Sequence, residues 1–330
     1  MASSVPESTD NQTKTSKRSR WFLIVAIFLA VPLLYLSLKG LDWIEFGHVI
    51  TNGQYGYLGV VVLVSSVNYF IRSQRWRVLL QLNQAVDVII VFWATMIGYI
   101  GNAFLPARAG EVLRSVALGK RTGISASFIL ATALVERIID VVALIVIGAF
   151  SLWMVQELPP GFQTGTALVA VLACGGLIFL LIVPSLQSQI QTILRRIIPK
   201  ESWNVKILGL LERFIQGFSV LRDVRRIALF VLLTAVIWLI DGCVAIMGAL
   251  VIQQTLSLPQ ALVLLAGLGL SSALPSTPGY VGVYQFVAVI VLVPFGFTQS
   301  EALAYILLSQ IANYLVVTFW GCLSIWKISR

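Results

Sequence analysis

A chain of 330 residues with 58% apolar and 11% charged side chains carries less than half the charge of an ordinary soluble domain, where roughly a quarter is typical. Its mean hydropathy of +0.92 excludes a soluble globule, since no folded interior of this size hides that much apolar surface. The net charge of +9 fits basic loops against an anionic leaflet better than it fits nucleic acid. The composition predicts an all-α, polytopic helical membrane protein.

Residues 1–20 are polar, hold Lys14, Lys17, Arg18 and Arg20, and contain no apolar run; they are expected to form a disordered basic tail. A membrane domain is expected over 21–330. Residues 21–38 make the first apolar stretch, read as a retained anchor and not a cleaved leader. Others follow at 57–71, 88–105, 128–155, 166–183, 227–252, 261–273, 281–297 and 302–326. At about 20 residues per crossing, they provide roughly six full spans plus shorter pieces. Cys174, Cys243 and Cys322 all lie inside apolar stretches, so no disulfide framework is indicated.

The basic residues set the expected topology. They gather in the N-terminal tail, at Arg72, Arg75 and Arg77, from Arg108 to Arg121, between Arg195 and Arg226, and at Lys327 and Arg330. Such clusters favour the cytoplasm, which puts both termini inside. Residues 88–105 then start and finish on the same side. Either this stretch itself enters and returns as a re-entrant hairpin, or Arg108 and Arg114 are buried in the protein. Residues 261–297 pose the same problem from the outer side, with Leu274-Pro-Ser-Thr-Pro-Gly-Tyr280 breaking them in the middle. Non-helical backbone at membrane depth needs a polar cavity or protein around it. Two broken re-entrant elements, one from each face, are therefore predicted, an arrangement transporters use to build a substrate site. Residues 185–226 show helical apolar spacing beside basic side chains. They read as amphipathic interfacial helices that either join two halves or dock a lipid surface or partner.

Ionisable residues within apolar stretches are the main candidates for function. Glu136, Arg137 and Asp140 share one stretch at helical spacing, and serve either as a structural charge knot or as partners for a substrate or proton. Gly98-Tyr-Ile-Gly-Asn102-Ala-Phe-Leu-Pro106-Ala-Arg108-Ala-Gly110-Glu111-Val-Leu-Arg114 is the second constellation. Arg108, Glu111 and Arg114, three apart, form a stripe on a helix. Two guanidiniums around a carboxylate suit a phosphate, although a snorkelling interfacial turn would carry the same pattern. Arg72, Arg75 and Arg77 around Trp76 read either as a further binding group or as a basic interfacial anchor. Pro275, Pro278, Gly279 and Gly282 mark the second break, while Asp241 and Asn313 are lone polar residues in spans. The single histidine, His48, sits in a predicted outer loop, which excludes a histidine-based metal site or triad. No Walker loop is present, and neither a metal, a cofactor nor an enzymatic activity is expected.

Taken together, Arg72…Arg75-Trp76-Arg77, Asn102…Pro106-x-Arg108-x-Gly110-Glu111-x-x-Arg114, Glu136-Arg137…Asp140 and Pro275…Pro278-Gly279-x-x-Gly282 resemble the lysylphosphatidylglycerol synthase transmembrane, or flippase-like, family, over some four-fifths of the chain. The resemblance implies a helical domain associated with moving lipids between leaflets. In the multiple peptide resistance factors that domain precedes a soluble synthase; this chain ends at Arg330 after its last span, so lysyl-lipid synthesis is not expected of it. Carried over by position, Asn102, Arg108, Glu111, Arg114, Glu136, Arg137 and Asp140 become the favoured site, with Pro278 and Gly279 in the broken helix facing them. The expected role is translocation of a lipid with an anionic phosphate headgroup, a phospholipid or a polyprenyl-phosphate-linked lipid, in a bacterial inner membrane. The alternatives are a non-catalytic membrane partner of a glycosyltransferase or envelope-synthesis machine, and a small-solute transporter.

Overall fold

The computed structural model describes residues 26–80, 85–105, 109–155, 223–272 and 277–329, with residues 171, 175, 176 and 189. The expected tail at 1–20, almost all of the connector at 185–226 and most of the apolar stretch at 166–183 lie outside the described residues.

Every regular element among the described residues is helical. Helices α1 (Ala26–Leu38) and α2 (Trp43–Thr51) meet at an 89° bend. Asp42 stops the chain there and restarts it, its carboxylate accepting the Ile44 and Glu45 N–H groups at 2.9 and 3.0 Å as an N-cap. Helix α3 (Gly56–Leu80) is followed by α4 (Val88–Phe104), α5 (Gly110–Thr122) and α6 (Ala126–Met154). Then come α7 (Val224–Val251), α8 (Leu258–Ser271), a single 3₁₀ turn (Pro278–Tyr280), α9 (Val283–Leu292) and α10 (Gln299–Ser329). Helices α3, α7 and α10 are long and apolar enough to cross a bilayer, and the bent α1–α2 pair makes a fourth candidate if it counts as one span. Helix α6 is 29 residues long but carries Glu136, Arg137 and Asp140.

Hydrogen bonds show which helix ends lie together. At one end of the bundle the Arg77 side chain reaches the Val86 carbonyl at 2.6 Å, and Arg121 donates to the Ile328 carbonyl at 2.6 Å. The end of α3, the start of α4, the end of α5 and the end of α10 therefore share a level. At the other end the Gln54 N–H meets the Val251 carbonyl at 2.7 Å, and Ser300 meets the Asp42 carbonyl at 3.1 Å.

Residues 88–105 do not enter and return by themselves: α4 runs unbroken over Val88–Phe104, and α5 makes the return. Helix α4 has 17 residues and α5 has 13, about 25 and 20 Å at 1.5 Å per residue, each short of a hydrocarbon core of about 30 Å. They pack along each other as a hairpin that enters and leaves by the first end. Gly110 is where the two arms touch: a Cβ there would lie 2.0 Å from the Gly98 carbonyl oxygen, so no larger residue fits. Helices α8 and α9, with 14 and 10 residues, form the matching hairpin from the second end. Ser257 and Gln260 close a capping box at the start of α8, with Pro259 in its first turn. The turn that separates α8 from α9 packs on α4, so the two broken elements meet inside the bundle. The largest apolar cluster joins α7, α8, α9 and α10 near the second end, around Ala249, Leu264, Leu292 and Ala304. A smaller one, around Trp76, Leu79, Val91 and Ile129, fixes α3, α4 and α6 at the first end.

Candidate functional site

Four arginines and four carboxylates from α3, α5, α6 and α7 pair with one another between the two hairpins. Arg75, 1% exposed, holds Asp140 with both terminal nitrogens at 2.6 and 3.0 Å and Glu136 at 3.0 Å. Glu136 passes its second oxygen to Arg114 at 3.1 Å, and Arg114 also pairs with Glu111. Glu111 in turn takes Arg137 through Nε at 3.0 Å and Nη2 at 2.9 Å. Arg72 pairs with Asp241, which also accepts from Asn68 Nδ2 at 2.6 Å. Aromatic faces back the guanidiniums: Trp76 lies 4.2 Å under Arg114 and Phe230 5.2 Å from Arg75, where a desolvated cation gains most from a ring quadrupole.

Several placements differ from what the sequence pattern suggests. Arg75 and Trp76 are not an interfacial anchor; both are buried, with Trp76 donating to Thr132 at 3.2 Å. Burial is possible because the partners come from another helix, which a run of basic residues on α3 cannot reveal. Arg114 does not present an open phosphate fork either. It is 3% exposed, and the carboxylates on both sides occupy it. Arg108, Pro106 and Pro275 lie outside the described residues. Asn102 acts locally. Its Oδ1 accepts the Gly110 N–H at 3.0 Å, closing the break between α4 and α5, and its Nδ2 lies 3.4 Å from Glu111.

The exposed cation of the group is Arg137, whose side chain is 31% accessible against 4% for Arg114. Its Nε and Nη2 face Glu111, while among the described residues Nη1 has only Asp140 at 3.9 Å, beyond hydrogen-bond reach. Arg137 lines two adjoining cavities of about 220 and 320 Å³, which share Tyr69, Tyr99, Tyr284, Gln310 and Asn313. Asn102 and Gly279 border the smaller, Arg72 and Asp241 the larger. The cavities thus sit where the breaks of the two hairpins converge, walled by hydroxyls, amides and the guanidiniums of Arg137 and Arg72. Tyr69 and Tyr99 pack with ring centroids 4.7 Å apart, and the Tyr69 hydroxyl donates to Asn313.

The second break supplies the opposite wall. Gly279 has φ +78°, and a Cβ there would lie 1.8 Å from the Tyr314 hydroxyl. Its carbonyl accepts from Gln310 at 2.9 Å, and Gln310 accepts from Gln285 at 2.7 Å. Gln285 also accepts the Gly282 N–H at 2.7 Å, capping α9. Tyr280 holds a left-handed φ of +59° without being glycine, and its ring stacks on Tyr284 at 4.6 Å and 7°. Backbone held in that region costs of order 1–3 kcal/mol and concentrates at sites that bind or switch. Among the described residues no group of three or more His, Cys, Asp and Glu is placed to hold a metal.

The sequence alone points to Arg137, Asn102 and Gly279 but not to the tyrosines. Tyr69, Tyr99, Tyr280 and Tyr314 are scattered along the chain, and single tyrosines in apolar stretches read as interfacial belts. The one available signal is Tyr280 directly after Pro278-Gly279, already inside a break.

Comparison with known proteins agrees with this architecture. The sequence model of the family described as the lysylphosphatidylglycerol synthase TM region matches residues 23–321. A UPF0104 membrane protein of Methanocaldococcus jannaschii is 22% identical over 235 residues, covering 69% of this chain and 94% of that protein. No solved structure matches.

Proposed function

We propose, for a chain that belongs to the lysylphosphatidylglycerol synthase TM region family, that this integral membrane protein moves a lipid with a phosphate-bearing headgroup between leaflets and catalyses no covalent chemistry. The observation that carries the reading is Arg137: an accessible guanidinium, held by Glu111 and with Nη1 making no hydrogen bond to a described residue, in a cavity where two opposed broken hairpins meet. A phosphate accepts charge-assisted hydrogen bonds from such a group without breaking the Glu111 pair. Burying it there still costs desolvation, which the Asn102 and Asn313 side-chain amides offset by offering N–H donors. Arg72 supports the same headgroup from the larger cavity, whereas Arg75, Arg114, Glu136 and Asp140 hold the frame. Opposed half-helices around one polar site are the arrangement that alternating access uses. The positive-inside rule assigns the end bearing Arg77, Arg121 and Lys327 to the cytoplasm, in keeping with a bacterial inner membrane and inward termini.

The test is leaflet exchange in liposomes. Fluorescent phospholipid and polyprenyl-phosphate probes are reconstituted with purified protein, and an impermeant quencher reports the outer fraction. Wild type is expected to expose more than the outer half of one probe. Arg137→Ala is expected to lose exchange with only a modest fall in unfolding temperature, because Arg114 still pairs with Glu111. Equal exchange by Arg137→Ala and wild type would sink the reading.

A further inference from the structure

The Arg72–Asp241 pair stands apart from the other ion pairs of the group. Glu111, Glu136 and Asp140 each lie against two arginines, with side chains 11%, 6% and 9% accessible. Asp241 has Arg72 alone as its ion-pair partner among the described residues, and the Asp241 and Arg72 side chains are 20% and 16% accessible. The second oxygen of Asp241 accepts from Asn68 Nδ2 at 2.6 Å. Among the described residues that line the two cavities Asp241 is the one carboxylate, and Arg72 and Arg137 share the wall of the larger cavity with it. A phosphate that enters there to reach the two guanidiniums therefore meets a like charge as well. Two anions brought together away from water do not both stay ionised readily, and the one that can take a proton does so.

We infer that Asp241 is the proton acceptor of this cavity, taking up one proton when an anionic phosphate enters and releasing Arg72 to it. The inference rests on the phosphate reading of the Arg137 cavity and adds its control by pH. The proton comes from water and forms an O–H bond at Asp241 Oδ2. The neutral acid no longer holds the guanidinium, which donates to a phosphate oxygen instead. No other covalent bond changes, and departure of the phosphate returns the proton to water and Arg72 to Asp241. The neighbours cannot take this part. Arg72 and Arg75 from α3 and Arg137 from α6 do not lose their charge in proteins. Tyr69, Tyr99, Tyr284 and Tyr305 border the larger cavity from α3, α4, α9 and α10, and phenols ionise only at about pH 10. Helix α8 brings no ionisable side chain. Glu111, Glu136 and Asp140 are each committed to two guanidiniums, so protonating one of them would strand buried cations.

Dihexanoyl phosphatidylglycerol serves as the probe, because its phosphodiester carries one charge and exchanges no proton near neutral pH. It is titrated calorimetrically into the purified full chain between about pH 5 and pH 8, a range in which neither phenols nor guanidiniums titrate. Pairs of buffers that differ in ionisation enthalpy are used, so that the difference in heat counts the protons taken up. Wild type is expected to take up about one proton per lipid once Asp241 is ionised, and its affinity to fall by up to about tenfold per pH unit, the slope of one linked proton. Asp241→Asn imitates the neutral acid. It is expected to take up no proton and to bind independently of pH, no more weakly than wild type does at the acid end. Asp241→Glu returns a carboxylate and is expected to return both the proton and the slope. Binding by wild type with neither proton uptake nor slope overturns the inference and leaves the phosphate reading standing. So does uptake that persists in Asp241→Asn, or an Asp241→Asn protein that binds at no pH. Equal behaviour of wild type and Arg137→Ala, whether both bind or neither does, overturns the phosphate reading and this inference with it.

Discussion

The two hairpins face each other across one cavity, yet they are held by different forces. The α4–α5 hairpin is bound to its neighbours by Glu111 and Arg114, which run through Glu136 and Arg137 into α6 and on to Arg75 in α3. The α8–α9 hairpin has no ion pair among the described residues at its tip. Neutral amides and a positive-φ glycine hold that tip: Gln285, Gln310 and Gly279. Pulling one partner from a buried ion pair strands a charge, whereas exchanging a neutral amide bond for another costs far less. On the proposed transport, the first hairpin is thereby a post, and the second is the piece expected to shift against it.

The sharpest way to break that contrast is to strip the post of its central cation. Arg75→Met leaves Asp140 with only the distant Arg137, and is expected to destabilise the protein by about 3–5 kcal/mol, as buried pairs do when one partner goes. Thermal unfolding in detergent reads this, and adding Asp140→Asn to the same protein is expected to recover part of the loss. Next comes steric separation of the arms of the post. Gly110→Ala drives a methyl into the Gly98 carbonyl and is expected to cost about 1–3 kcal/mol, the range for overpacking; faster proteolysis within residues 98–114 would report it. An effect on stability comparable with that of Gly110→Ala, and below that of Arg75→Met, is expected at the other hairpin. Gln310→Leu removes two neutral hydrogen bonds and is expected to cost only about 1 kcal/mol per bond, while the leaflet-exchange rate moves several-fold. If Gln310→Leu and Arg75→Met proved equally destabilising, the contrast between post and moving piece would fail.

Much of the architecture is legible before any coordinates. Basic residues at both ends of 88–105, and the Pro-Gly run after residue 273, point to two interrupted elements; α8–α9 is one of them, whereas the other is made by α4 and α5 together and does not turn within 88–105. The contents of the site are harder to read. Arg72 and Asp241 are separated by 169 positions, and no local pattern announces which carboxylate meets which guanidinium. Arg75 illustrates the cost of that gap: Arg-Ser-Gln-Arg-Trp-Arg at the end of a span looks like a snorkelling belt, and only the arrival of α6 turns it into the most buried cation of the cluster. Glu136 and Asp140 are readable as a pair because they share a helix face. Their role as framework depends on Arg75 and Arg114, which come from elsewhere.

Across the described network the arginines 72, 75, 114 and 137 are matched one for one by Glu111, Glu136, Asp140 and Asp241. A body with balanced charge, displaced as a unit through an electric field, does no net electrical work. Each uncompensated charge, by contrast, is worth about 2.3 kcal/mol per 100 mV of membrane potential. The described ion-pair cluster therefore contributes little to voltage sensing however far it moves. On the proposed lipid transport, a dependence of exchange on membrane potential would report charge outside this cluster, the cargo's included.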